Sequence, residues 1–238
     1  MPSRTPPSAS AAPPPSKKDS PGGLSPRQEE DGKGKSFPNS RYVTFFVIAA
    51  IGVGVDLWTK HVMFAWRGLP PRWRGEYPPE REIHWIVEGF LGIETALNQG
   101  ALFGMGQGKV WLFVLLSFVA VAGIVYWLFV AKAARDGFLN FTMELVMGGI
   151  LGNLFDRLGL WGGATTSGET IYAVRDWILI SYGGADLPIL GTDWPNFNIA
   201  DSLLVGGAGL LIWHSFTRAA DPKETPEPTS ETKQDDKN

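Results

Sequence analysis

Carboxylates and carboxamides recur at short, regular spacings inside otherwise apolar stretches of this sequence. Asp56 is followed four residues later by Lys60, Asn153 stands three residues before Asp156 and its neighbour Arg157, and Asn198 precedes Asp201 by three. Spacings of three and four place side chains on one face of a helix. An ionisable side chain at membrane depth costs about 3 kcal/mol or more, so each is a functional candidate whose partner has to be found. For Asp56, Lys60 and Arg157 the competing reading is snorkelling at a helix end, and for Glu144 it is helix packing. The 238-residue chain contains no cysteine, which removes thiol nucleophiles, thiolate metal sites and disulfides. Its three histidines, His61, His84 and His214, lie on separate segments without ligand-like spacing, so they read as packing or interfacial residues, and neither metal nor cofactor is expected. Ser117 lacks polar neighbours and Ser202 directly follows an aspartate, leaving no serine in a Ser–His or Ser–Lys arrangement. The polar groups left are carboxylates and carboxamides, able to act as acid and base, to line a polar path or to cap helices.

The elements that position these groups are membrane spans. Residues 110–131 form a 22-residue run without a charge, bracketed by Lys109 and by Lys132 with Arg135. At 1.5 Å per residue such a helix crosses a hydrocarbon core of about 30 Å. Three further stretches, at about 42–66, 138–161 and 200–217, are apolar but interrupted, and their ionisable residues lie mostly toward one end. Four antiparallel spans bring Asp56, Asn98, Asp156, Arg157 and Asp201 to one membrane face by topology alone. A transporter lined by these groups would mark both sides of the midplane instead, and a non-catalytic scaffold would use the same aspartates only as helix caps.

The remaining segments are polar. Residues 1–41 hold nine of the 18 prolines among Ser, Gly and Lys, and residues 218–238 carry six acids and three lysines. Both read as disordered tails flanking a 42–217 domain, and the first lacks the apolar run of a signal peptide. A net charge of −3 with no basic–aromatic patch excludes a nucleic-acid partner. Lys33, Lys35, Arg41, Lys132, Arg135 and Arg218 on the side of the termini, against Arg67, Arg72, Arg74 and Arg81 in the first outer loop, predict cytoplasmic termini. Residues 83–104 have the β-branched and aromatic content of short strands, predicting a small sheet at the interface. Residues 162–200 read as an interfacial loop or helix carrying Trp177, Tyr182 and Trp194 at headgroup level. The fold class is therefore a membrane all-α bundle of four spans with a small extracytoplasmic sheet.

Four elements in this order resemble those of the lipoprotein signal peptidases, the signal peptidase II family of aspartyl peptidases. Asp56-Leu57-Trp58-Thr59-Lys60 looks like its D-x-x-x-K, Asn98 to Phe103 like N-x-G-A-x-F with Gly100 at the glycine, Gly149 to Arg157 like G-x-x-G-N-x-x-D-R, and Phe197 to Ser202 like F-N-x-A-D-S. The resemblance spans about residues 42–217. It implies a bacterial plasma-membrane endopeptidase that cuts prolipoprotein signal peptides N-terminal to a diacylglyceryl-cysteine, acting as a monomer among membrane lipids. It implies catalytic aspartates at Asp176, within Val174-Arg175-Asp176, and at Asp201. Asp156 becomes a supporting acid paired with Arg157, whereas the residues alone favour Asp156 over Asp176. Asn98, Asn153, Arg157 and Asn198 are implied to orient the dyad or bind substrate, with Asp56, Lys60 and Gly100 supporting. Arg175 departs from the apolar residue expected there, and either bears on the dyad's electrostatics or points to solvent. The stretch between Arg157 and Asp176 is longer than the family's, as is the first outer loop with Pro70, Pro71, Pro78 and Pro79.

Overall fold

The computed structural model describes residues 40–76, 80–100, 106–130, 136–182 and 193–219. The terminal tails, Pro78, Pro79, Ala101 to Phe103, Lys132 and Arg135 lie outside the described residues. Four helices are long and apolar enough to cross a membrane: α1 (Ser40–Arg67), α2 (Val110–Phe129), α3 (Gly137–Arg157) and α4 (Ile199–Ala219). Large apolar side chains such as Val43, Phe46, Leu115, Val119, Val205 and Trp213 stand exposed on α1, α2 and α4. Such exposure is stable against lipid and not against water, so the chain is a multi-pass membrane protein.

Helix α3 is the centre of the bundle, packing on each of the other three. Half of its membrane window is buried, against 17% in α1 and 11% in α4. Glycines permit the approach, because helices in lipid associate by close packing and not by hydrophobic exclusion. Gly52 of α1 meets Gly148 of α3, and a β-carbon at Gly149 would lie 2.5 Å from the Ala200 carbonyl oxygen and 2.7 Å from Leu204 Cγ. Asp136 caps α3, accepting from the backbone N–H groups of Phe138 and Leu139. The helix ends at Arg157, earlier than the run to residue 161 expected from apolarity, because the chain turns through Gly159 at φ 70°. On α1, Phe45, Ala49, Asp56, Lys60 and Phe64 form one buried stripe at helical spacing.

The sheet is larger than residues 83–104 suggest. Strands β1 (His84–Val87) and β2 (Leu91–Asn98) arise there, and the second outer segment adds β3 (Val174–Ser181) and β4 (Asp193–Phe197), all antiparallel in the order β1-β2-β3-β4. Residues 162–182 are therefore not simply a surface loop. Ala164 bridges Thr170, Ile171 and Ala173 are buried, and the chain enters β3 at the mouth of the bundle. Val174, Arg175 and Asp176 are consecutively buried, so both faces of the strand are covered at this point. Asp176 pairs in register with Ala96 and Val174 with Asn98. Between them and Ile93↔Ile178, β2 carries one extra residue, a bulge that locally redirects the strand.

Replacing Gly149 by Ala should force α3 and α4 apart and destabilise the protein by about 1–3 kcal/mol, as overpacking does. The control is Gly123→Ala on α2, where a β-carbon meets nothing within 4 Å. Thermal unfolding in detergent should rank Gly149→Ala well below wild type and Gly123→Ala at or above it; equal melting temperatures for the two variants would contradict the packing assignment.

Candidate active site

Beneath the sheet, four charged side chains from three elements form a buried and electrically neutral cluster. Lys60 is fully buried on α1, and its ammonium has three donors to place. It donates to Asn153 Oδ1 at 3.0 Å and forms ion pairs with Asp56 Oδ2 at 2.7 Å and Asp156 Oδ2 at 3.2 Å. Asp156 also accepts three hydrogen bonds from one residue: the Arg175 backbone N–H donates to Oδ2 at 3.0 Å, and Arg175 Nε and Nη2 donate to Oδ1 at 3.1 and 2.7 Å. Both oxygens of Asp156 are thus engaged by Arg175, and Oδ2 is also ion-paired with Lys60. Asp56 Oδ1 accepts from the Ala200 backbone N–H at 2.9 Å, tying α1 to the start of α4. The i,i+4 pairing of Asp56 with Lys60 is thus an internal ion pair, not a snorkelling arrangement.

The expected pairing of Asp156 with Arg157 is not formed. Consecutive residues on a helix point about 100° apart, so a partner for Asp156 comes from elsewhere in the fold, and Arg175 fills that place. Arg175 is 4% exposed and does not point to solvent. Arg157 instead donates through Nη2 to the Gly100 carbonyl oxygen at 3.0 Å and lies 5.3 Å from the centre of the Phe113 ring. Its buried Nε has no hydrogen-bond partner among the described residues.

Above this cluster stand Asp176 and Asp201, linked by two asparagines. Asn198 is the N-cap of α4: its Oδ1 accepts from the Asp201 N–H at 3.0 Å, and Asp201 Oδ2 accepts from the Asn198 N–H at 3.2 Å. This is a reciprocal capping box, which explains why Asn198 and Asp201 stand three residues apart. Asn198 Nδ2 has two hydrogens; it donates to Asp176 Oδ1 at 2.6 Å and to Asn153 Oδ1 at 3.2 Å. Lys60 and Asn198 Nδ2 can only donate, so Asn153 presents its oxygen to them and its Nδ2 to Asp201 Oδ1 at 2.8 Å. Asn98, at the end of β2, hydrogen-bonds the Asp176 carboxyl, and its Oδ1 accepts from the Gly100 N–H at 2.9 Å.

Strand alternation separates the two neighbouring charges of β3. Arg175 faces Asp156 on α3, and Asp176 faces Asn198 and Asn98 on the other side. Asp176 is 2% exposed. Burial pushes its carboxyl well above the ordinary carboxylate range, and the nearby negative charge of Asp201 pushes it further; Lys60 and the two asparagine donors act in the opposite sense. Asp201 is only partly buried. The set can hold a proton on a buried carboxyl while presenting a second carboxylate to an accessible space, and among the described residues no cluster of three or more metal-ligating side chains competes for that place.

All ten residues singled out in the sequence, namely Asp56, Lys60, Asn98, Gly100, Asn153, Asp156, Arg157, Asp176, Asn198 and Asp201, lie in this one region. Arg175, for which the sequence leaves open an electrostatic role or a solvent-facing one, belongs to the region, and the Ala200 backbone N–H joins it without a signal in the sequence. Reading residues 174–181 as a strand would have predicted that Arg175 and Asp176 diverge; the loop reading hid it.

The family model described as signal peptidase (SPase) II matches residues 48–217. The lipoprotein signal peptidase of Rhodopirellula baltica is 45% identical over 190 residues, covering 80% of this chain and 79% of the relative. That of Geobacillus thermodenitrificans is 30% identical over 183 residues, covering 77% of this chain and 96% of the relative. A solved bacterial membrane enzyme, determined by the in meso method, superposes with a TM-score of 0.57 at 27% identity, covering 76% of this chain and 93% of its own. A family match over the region that holds the four spans and every residue of the buried network places this chain in the signal peptidase II family.

Proposed function

We propose that this protein is a membrane aspartyl endopeptidase that removes signal peptides from prolipoproteins, with Asp176 and Asp201 as its catalytic pair. The observation that carries this assignment is the sharing of Asn198, which donates to Asp176 and forms the capping box with Asp201. A scaffold using aspartates as helix caps has no need of that link. The engagement of Asp156 supports the same choice: a carboxylate that holds three hydrogen bonds from Arg175 and an ion pair with Lys60 is tied into the fold and not turned toward an attacking water.

Hydrolysis of an amide by two carboxyls needs a base to take a proton from water and an acid to protonate the departing nitrogen. Like charges this close hold one proton between them, and the pair titrates as a unit. The buried, raised Asp176 carries that proton, and Asp201 is the carboxylate facing the attacking water. Arg157, with Nε unpaired, and Asn98 stand where a substrate carbonyl and backbone would be oriented. The substrate is a signal peptide ending at a diacylglyceryl-cysteine, cut on the N-terminal side of that residue. Aspartates at one end of the spans, with the positive-inside bias, support a site at the extracytoplasmic face of the bacterial plasma membrane with the termini in the cytoplasm. The working unit is a monomer surrounded by lipid.

Cleavage of a diacylglyceryl-modified prolipoprotein by the purified protein tests the pair. Asp176→Asn and Asp201→Asn should each lose about 10²–10⁴-fold in turnover while still binding substrate. Asp156→Asn should instead keep part of its turnover in its folded fraction and lose about 3–5 kcal/mol of stability, because it strips Lys60 and Arg175 of a buried counter-charge. An active Asp176→Asn beside a folded, inactive Asp156→Asn would reverse the assignment.

Stability should also depend on pH with a defined sign. A carboxyl raised on folding makes the native state bind the extra proton, so its contribution is complete below the ordinary value near 3.8 and is lost as pH rises through the raised value. The melting temperature of wild type should therefore fall with rising pH across that window. Asp176→Asn should flatten the fall; an unchanged slope would mean that Asp176 is ionised in the native protein.

A further inference from the structure

Arg175 makes more buried contacts than a tether for Asp156 requires. Its backbone N–H, Nε and Nη2 all bond one carboxylate, and its guanidinium carbon lies 5.0 Å from the centre of the Trp161 ring. Trp161 in turn packs edge-on against Phe64 of α1, with ring centres 6.0 Å apart. The loop 158–173 that carries Trp161 is held by its own backbone bonds, Ile171 N–H to the Gly163 carbonyl at 2.9 Å and Thr165 N–H to the Glu169 carbonyl at 2.9 Å. This loop therefore folds back to lay an indole over the arginine immediately before Asp176. A strand residue fixed at its side chain, its backbone and its aromatic cover leaves its neighbour little freedom.

We propose that Arg175, clamped between Asp156 and Trp161, is a positioning residue that sets both the placement of Asp176 and the charge that Asp176 faces; this rests on the assignment of Asp176 to the catalytic pair. The charged groups around Asp176 are Asp56 and Lys60 from α1, Asp156 and Arg157 from α3, Asp201 from α4 and Arg175 beside it on β3; Asn98 of β2 is neutral, and His61 of α1 lines the groove on the Arg175 side together with Trp161. The four groups Asp56, Lys60, Asp156 and Arg175 sum to zero. Removing the Arg175 charge leaves one negative charge beneath the pair, which favours the protonated forms of both carboxyls and shifts both limbs of the pH–rate profile upward. Removing only the fork geometry, with the charge kept, displaces Asp176 without that shift.

Two variants separate these effects in cleavage of a diacylglyceryl-modified prolipoprotein, with kcat, KM and the pH profile measured on the full chain. Arg175→Met should lower kcat by about 10²-fold at little change in KM, with both limbs moved up by about one pH unit. Arg175→Lys should lower kcat less, with the limbs unmoved. Trp161→Leu, which keeps the charge and removes the cover, should resemble Arg175→Lys. A folded Arg175→Met with wild-type kcat and pH limbs overturns the proposal, as does a loss of activity that tracks only the folded fraction with unmoved limbs. Should Arg175→Met fail to fold, Arg175→Lys and Trp161→Leu decide: a wild-type kcat in both overturns the proposal. Asp176→Asn assayed alongside keeps the two ideas apart, since activity in that variant defeats the catalytic-pair reading itself, whereas an inactive Asp176→Asn beside an unaffected Arg175→Met defeats only the positioning role.

Discussion

Charges buried at a membrane boundary are costly unless opposite charges meet them, and the cluster of Asp56, Lys60, Asp156 and Arg175 is organised by that requirement. Desolvation of an isolated carboxylate or ammonium outweighs what a single contact returns. Here Lys60 pairs with two carboxylates and donates to Asn153, Asp156 accepts three hydrogen bonds from Arg175, and Asp56 meets both the ammonium and the Ala200 N–H. Two positive and two negative charges cancel. Because the partners come from α1, α3, β3 and the first turn of α4, satisfying the cluster assembles those elements in one geometry. Loss of any member exposes its partners to an apolar surrounding, so the network is cooperative in the sense that a half-satisfied version is worse than none.

The neutral cluster then supports an acidic pair that is not neutralised. Asn153 and Asn198 have their amide groups oriented by Lys60 and by the N-terminus of α4, and each orientation leaves a donor for one aspartate: Asn198 for Asp176, Asn153 for Asp201. Two carboxyls thus receive fixed hydrogen bonds without a direct ion pair, Lys60 and Arg157 acting on them only through space. Burial and the nearby Asp201 then raise the Asp176 carboxyl. A preorganised amide frame also has no reorganisation to undergo when charge moves during the reaction.

Much of this was legible from residue type and period, and the failures have physical causes. The unbroken apolar run from Val110 and the one-sided placement of Asp56, Asp156 and Asp201 within their segments implied four spans with polar groups at one face. The Asn198–Asp201 spacing carried the capping box. By contrast, Asp156 and Asp176 look alike as isolated carboxylates; what separates them is that one is saturated by Arg175, nineteen residues away in sequence, and no local pattern encodes that contact. The strand character of residues 174–181 was masked by its mixture of Arg, Asp and Trp, residues acceptable in a strand only because the bundle mouth and the loop 158–173 bury both of its faces. Charge next to charge in a sequence invited an Asp156–Arg157 pair that helix geometry prevents.

The central claim is that burial and the neighbouring Asp201 hold the Asp176 carboxyl well above the ordinary carboxylate range, whereas Asp156 is bonded by Arg175 and ion-paired with Lys60. Infrared difference spectroscopy of the purified protein through a pH titration reads protonated carboxyl groups directly. A protonated-carboxyl band that vanishes in Asp176→Asn and persists in Asp156→Asn is the result expected; a band that persists in Asp176→Asn and vanishes in Asp156→Asn would contradict the account at its foundation.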